Sequence, residues 1–169
     1  VGAQALQLRA VVLGASTTQV RLANESDHRA VKALYRELRP QDADVSDEMS
    51  LSLFRAVLRS SHARLVVALE GGEIGATCML AFLPNFASAG RPIGVIEHVI
   101  TGERFRRRGL ARAALAFALD EAWAMDCCKV FLLSGSQRTE AHRLYESVGF
   151  VGGRELGFVR KNPSEGHHD

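Results

Sequence analysis

From Ile100 to Ala122 the chain reads ITGERFRRRGLARAALAFALDEA, with five arginines between Arg104 and Arg112, a glycine among them, and an alanine-rich apolar run directly after. A strand that turns through Gly109 into a helix leaves several backbone N–H groups without acceptors at the helix N-terminus, where the summed peptide dipoles favour an anion. Gly109 has no side chain to hold a ligand away from the backbone, and Ala111 keeps the next turn thin. Arg106, Arg107, Arg108 and Arg112 add positive side chains. Cations at the positive end of a helix are mismatched unless an anion joins them, so a phosphate site is favoured over a merely solvated basic helix start. Upstream, alternation along IGVIEHVIT sets Glu97 on the face of Ile93, Val95 and Val99 rather than with His98. A carboxylate on an apolar face is costly unless it does chemistry or is paired, and an ion pair with a neighbouring arginine is the plain alternative. Downstream, helical spacing gathers Arg138, His142 and Tyr145 on one face beside an apolar face of Ala141, Leu144 and Val148.

The totals limit what these residues can belong to. A chain of 169 residues suits one domain with a real core. A formal net charge of +2 is small for a dedicated nucleic-acid binder, and the arginine run lacks the interleaved aromatics or polar recognition helix that such binding needs. Cys78, Cys127 and Cys128 cannot all pair, and the two neighbours cannot bridge without strain, which points to a reducing cytoplasm. There is no CxxC and no His/Cys/Asp cluster at ligand spacing, so no metal is expected. The opening segment, broken by Arg9, is too short for a membrane span. Residues 1–18 read as an N-terminal extension, 19–161 as the domain, and 162–169, with His167 and His168, as a tail outside functional reasoning.

The elements that must position these groups follow from pattern. QVRLA (19–23) alternates as a strand, and NESD caps a helix starting near His28 that buries Val31, Leu34, Tyr35 and Leu38 and stops at Pro40. After the acidic QDADVSDE, a second helix carries Met49, Leu53, Phe54, Val57 and Leu58 at helical spacing. ARLVVALE and EIGATCMLAF form a hairpin about Gly71 and Gly72, PNFASAGRP is a loop, and IGVIEHVIT is the next strand. A helix over Leu110 to Met125, apolar on most sides, packs on the sheet. KVFLLS then reads as a buried strand, TEAHRLYESVGF as a helix closed by Gly149, and RELGFVRK as a last strand. The order β-α-α-β-β-β-α-β-α-β describes an α/β fold with an α+β mixed sheet.

The run VIEHVITGERFRRRGLARAAL followed by AHRLYESVGF resembles the GCN5-related N-acetyltransferase (GNAT) family, whose cofactor turn reads Gln/Arg-x-x-Gly-x-Gly/Ala; here it is Arg106, Arg107, Arg108, Gly109, Leu110, Ala111. The Glu-bearing strand before the turn, the buried strand after it and the closing Tyr-x-x-x-Gly-Phe stand in the family's order, and the resemblance spans about Gln19 to Arg160. It implies a mostly antiparallel central sheet with splayed middle strands and helices on both faces. It further implies acetyl-CoA as co-substrate, its pyrophosphate on the backbone of Arg107 to Arg112 and its pantetheine arm beside Val99, Ile100 and Thr101. By the same resemblance Glu97 is the base for the incoming amine and Tyr145 the proton donor to the leaving thiolate. Family members commonly carry Asn seven residues before the Tyr; here Arg138 stands there, and it is assigned to the cofactor together with His142.

The implied activity is acetyl transfer to a primary amine, small molecule or peptide, by direct attack in a ternary complex, without a membrane or nucleic acid as partner and with a homodimer allowed. The rival reading is a non-catalytic acyl-CoA sensor or interaction module of the same fold, against which the presence of both Glu97 and Tyr145 argues. Acceptor recognition is expected from the first two helices, their acidic connection and the LPNFASAGRP loop. The acids Asp42, Asp44, Asp47 and Glu48 could attract a cationic amine, but with Ser46 they read better as an ordinary helix start.

Overall fold

The structure, a computed structural model, describes residues 9–13 and 16–162. It divides into two compact units, Val1–Leu132 and Leu133–Asp169. The first unit is built on a six-stranded sheet in simple sequential order. Its strands are β1 (Arg9–Leu13), β2 (Ser16–Leu22), β3 (Ala63–Glu70), β4 (Glu73–Leu83), β5 (Ile93–Thr101) and β6 (Lys129–Phe131). All neighbours are antiparallel except β5 and β6, which run parallel because helix α3 (Leu110–Ala124) carries the chain back between them. Gly71 and Gly72, at φ +59° and +84°, make the tight turn of the β3–β4 hairpin, a conformation that strains other residues.

Helices α1 (His28–Leu38) and α2 (Asp47–Arg59) cover one face. Their Val31 and Phe54 bury against Leu65, Val67 and Leu69 of β3, with Tyr35, Val57, Leu58 and Met79 packed around them. Burying each such aliphatic or aromatic side chain contributes about 1.5–3 kcal/mol. The other face belongs to α3, whose Ala113, Ala114, Ala118 and Ala122 are small enough to bring the helix close to the strands. There Cys78 places its Sγ 3.8 Å from the Ala114 carbonyl oxygen.

The helix starts are those the sequence supports. The Asn24 side chain accepts from Ser26 N–H at 2.9 Å, and Asp27 reaches back to Asn24 N–H at 2.8 Å while gripping Arg21 through both guanidinium nitrogens. Ser46 Oγ accepts from Met49 N–H at the start of α2. Between the two helices the acids are spent on α1: Asp42 pairs with Arg39, Asp44 with Arg36 and Asp47 with Lys32.

Four expectations are corrected. Residues 9–13, assigned to an N-terminal extension ending at residue 18, form β1, and β2 begins at Ser16 rather than Gln19. The apolar run AVVL has no alternation of its own to mark it, and its partner strand decides its fate. The segment over KVFLLS forms only the three-residue β6, with Lys129 and Phe131 exposed rather than buried, since it pairs with β5 alone and only over Ile93–Val95. RELGFVRK forms no strand: Leu156, Phe158 and Val159 stand exposed, and an alternating pattern without a partner gains no ladder of hydrogen bonds. Met49 and Leu53, expected on the apolar face of α2, are also exposed. The last residues of the tail, 163–169, lie outside those described, as do residues 1–8. No helix among the described residues is long and apolar enough to cross a membrane.

Candidate active site

β5 delivers the chain to the arginine turn, and its pairing is uneven. On one side β4 follows it along its whole length; on the other, β6 accompanies it only from Ile93 to Val95. From Ile96 to Thr101 that edge has no strand partner among the described residues, because β6 ends at Phe131.

The β4–β5 ladder also contains a bulge. Met79 faces Glu97 and Thr77 faces Ile100, so His98 and Val99 together oppose Cys78. His98 takes the extra residue at φ +53°, a region sparsely used by residues with a side chain. The bulge resets the alternation. Glu97 shares its face with Ile93 and Val95 as expected, but Ile100, not Val99, continues that face. The face is that of Met79, toward α1 and α2, and Glu97 is exposed on it rather than buried among its apolar neighbours. Its neighbour His98 also turns toward α1, its ring centroid 5.2 Å from that of Tyr35.

Beyond β5, a single 3₁₀ turn (Glu103–Phe105) precedes the arginines and is anchored from beneath. Gly102 donates its N–H to the Gly75 carbonyl at 2.9 Å, and Phe105 is buried over Gly75 itself. Arg107 then takes φ +64° and Gly109 φ +81°, left-handed positions of the kind that occur in anion-binding backbone turns. Gly109 is the N-cap of α3 and supplies no side-chain cap. The first intrahelical bond runs from Ala113 N–H to Gly109 oxygen at 3.0 Å, leaving the N–H groups of Leu110, Ala111 and Arg112 without helical acceptors. This open, glycine-capped helix start fits a pyrophosphate by its own geometry.

The arginine side chains divide. Arg106, Arg107 and Arg112 are exposed. Arg108 is engaged elsewhere, its guanidinium 2.5 Å from Glu70 and 5.7 Å from the Phe105 ring centroid, while Arg104 pairs with Glu73 and lies 4.6 Å over the same ring. These contacts line a shallow hollow of about 480 Å³ at the hairpin tip. Glu70, Glu73 and Phe105, missed by sequence reasoning, are thus the supports of the turn. Only the glycines between the two glutamates were legible, because a hairpin tip that meets a loop more than thirty residues later leaves no local pattern.

In the second unit, α4 (Thr139–Glu146) follows Arg138, its N-cap, and ends before Gly149 at φ +95°. His142 Nε2 lies 3.0 Å from the Gly135 carbonyl oxygen, tying the helix to the segment that leads into it. Tyr145 is buried with its ring edge-on to Phe150, the centroids 6.3 Å apart. Arg138 is exposed.

A strand with a free edge, followed by a glycine-capped open helix start and, later in the chain, a helix carrying a buried tyrosine, is the order of parts that a known family shares. The model described as the acetyltransferase (GNAT) family matches residues 29–150. The chain belongs to this family. Among solved structures, a protein from Agrobacterium tumefaciens str. C58 assigned as an acetyltransferase is 34% identical, with a TM-score of 0.78 over 84% of this chain and 99% of that one. The glucosamine-6-phosphate N-acetyltransferase of Arabidopsis thaliana shares the fold at 24% identity and TM-score 0.75, covering 85% of this chain and 97% of that one. An aminoglycoside N-acetyltransferase in complex with CoA does so at 18% identity and TM-score 0.73, covering 89% and 99%. A comparison with curated proteins gives no match. As a GNAT member the chain is an N-acetyltransferase.

Proposed function

We propose that this enzyme moves the acetyl group of acetyl-CoA to a primary amine, on a small molecule or a peptide, by direct attack in a ternary complex. The observation that carries the reading is the open helix start at Gly109, set at the end of a strand whose free edge runs from Ile96 to Thr101. Acetyl-CoA brings an activated thioester to that edge. The backbone N–H groups from Arg107 to Arg112 hold its pyrophosphate, and Val99, Ile100 and Thr101 offer main-chain groups to its pantetheine arm. Arg106, Arg107 and Arg112 meet phosphate oxygens from solvent. Arg108 serves through its backbone, since its side chain is held by Glu70. Arg138, which precedes α4, and His142 within it are assigned to the cofactor by the resemblance to the family.

A primary amine reaches the site mostly protonated, since a lysine-like amine titrates near pH ~10.4. Glu97 takes a proton from it directly or through water, a role that its exposure to solvent supports. Tyr145 returns a proton to the departing thiolate. The acids between α1 and α2 are spent on Arg36, Arg39 and Lys32, so a cationic acceptor is drawn by Glu97 more than by that connection. Calorimetric titration with acetyl-CoA, followed by thiol release with a panel of primary amines, tests the reading. Micromolar binding and amine-dependent thiol release are expected; no binding at high micromolar concentrations would refute it.

A further inference from the structure

The mechanism above leaves unused the most unusual side chain on β5. His98 sits at a positive φ in the bulge, next to Glu97 in sequence and on the same side of the sheet, its ring tilted 38° against Tyr35. Its Nδ1 is buried and has no hydrogen-bond partner. The other buried and half-buried histidines among the described residues are tied down: His28 Nε2 to Ser50 Oγ at 2.8 Å and His142 Nε2 to the Gly135 carbonyl at 3.0 Å. A strained backbone holding a histidine whose ring is not spent on structure is the combination found where a side chain is kept for a ligand.

The orphaned nitrogen also sets the tautomer. A bare lone pair is less costly to leave unpartnered in the interior than an N–H, so the neutral ring carries its proton on Nε2. Nε2, the other ring nitrogen, is therefore a donor. Tyr35, the aromatic against the ring, is itself kept neutral because burial pushes its phenol up.

The direction of the cofactor locates the donor. With the pyrophosphate at Arg107 to Arg112 and the arm running back along Thr101, Ile100 and Val99, the acyl end arrives at Glu97 and His98. We propose, resting on the acetyl-CoA reading above, that His98 is a further catalytic residue: Nε2–H donates a hydrogen bond to the thioester carbonyl oxygen as negative charge develops there. The amine nitrogen forms its bond to the carbonyl carbon, and the carbonyl π electrons move onto the oxygen that His98 faces. As they return, the carbon–sulfur bond breaks, the thiolate takes a proton, and the nitrogen gives up its own surplus protons to Glu97 or water. A preorganised donor of this kind is typically worth about 10²- to 10³-fold in turnover.

The test uses His98→Phe, which keeps a ring against Tyr35 and removes the donor, and His98→Asn, which tolerates positive φ and restores an amide donor. Thiol release is measured with the best amine of the panel and also with acetyl-CoA alone, where water is the acceptor and the same oxygen must be stabilised. Phe is expected to lower both rates by about 10²- to 10³-fold at unchanged acetyl-CoA affinity, with Asn recovering part of the loss. In the free, ¹⁵N-labelled protein at pH 8, imidazole NMR is expected to show His98 as the Nε2–H tautomer. Rates within twofold of the parent in His98→Phe with acetyl-CoA bound normally, or an Nδ1–H tautomer, would overturn the role of His98 alone. Failure of the unmutated protein to bind acetyl-CoA would remove it together with the function on which it rests.

Discussion

Gly75→Ala probes how rigidly the cofactor turn is supported. Gly75 is the extra residue of a bulge in β4, where Ala68 faces Ala76 and Leu69 faces Ile74, and it is buried beneath the 3₁₀ turn. A Cβ there would stand 2.6 Å from Phe105 Cγ, 2.8 Å from Cδ1 and 2.9 Å from Cβ. Ordinary carbon contacts lie near 3.5–4.0 Å, so the two must part by about 1 Å. The crowded atoms are the root of the Phe105 side chain rather than a flexible tip, so the whole Glu103–Phe105 turn has to rise, and with it the backbone that leads to Arg107. Overpacking of this kind costs about 1–3 kcal/mol, and the lower chain entropy of alanine in the unfolded state offsets about 0.4–1 of it. A net loss of about 1–2 kcal/mol corresponds to a melting temperature lower by about 2–8 °C for a chain of this size. Differential scanning calorimetry reads that shift, and titration of the same variant with acetyl-CoA should show weaker binding. Adding Phe105→Ala, which removes the Cγ and Cδ1 that crowd the new methyl, should recover part of the loss, so that the double variant is more stable than the sum of the two changes. A Gly75→Ala protein melting within about 1 °C of the parent would refute the argument that Phe105 is a fixed prop.

Three further outcomes are expected. Tyr145→Phe should lower the rate of thiol release while leaving acetyl-CoA affinity largely intact; equal turnover in the variant would remove its role as the acid. A thiol-exchange reagent should label Cys128 first in the folded protein and leave Cys78 untouched until unfolding, because burial pushes the Cys78 thiol up to about 12 and only the thiolate reacts. The Asp42, Asp44 and Asp47 carboxyls are held below their ordinary range, chiefly by hydrogen bonds from Arg39, Arg36 and Lys32. Their pairing is therefore complete above about pH 4, the unfolded carboxylate range, and is lost as pH falls through the lower folded values. A drop in amide protection in the α1–α2 connection on acidification below pH ~4, after correction for the intrinsic pH dependence of exchange and with the protection of α3 unchanged, would register it.

Much of the architecture was written in local pattern, and the reason is physical. Helix periodicity, the Asn24 and Ser46 caps, the paired glycines at 71 and 72, and the glycine between a β-branched strand and an alanine-rich helix each act through neighbours in the chain. The start of α1, the β3–β4 hairpin, β5 and α3 could therefore be read directly. The misplaced strands were those whose existence depends on a partner. β1 forms because β2 lies beside it, and RELGFVRK stays out of the sheet because no described strand pairs with it.

The site divides in the same way. Residue types and spacing singled out Gly109 and the arginine turn, because an anion needs open N–H groups, and marked Glu97 as a carboxylate among apolar residues; the roles of Glu97 and Tyr145 came from the resemblance to the family. Tertiary structure decided what those groups can reach. The bulge at His98 arises only from the register of β5 against β4, and it left Glu97 exposed, moved Ile100 onto its face, and brought a histidine assigned to the other face against Tyr35. Arg108, one cation among several in the sequence, is held by Glu70 because the hairpin tip and the turn meet in space. One residue inserted into a ladder changes which side chains face which, and composition carries no trace of it.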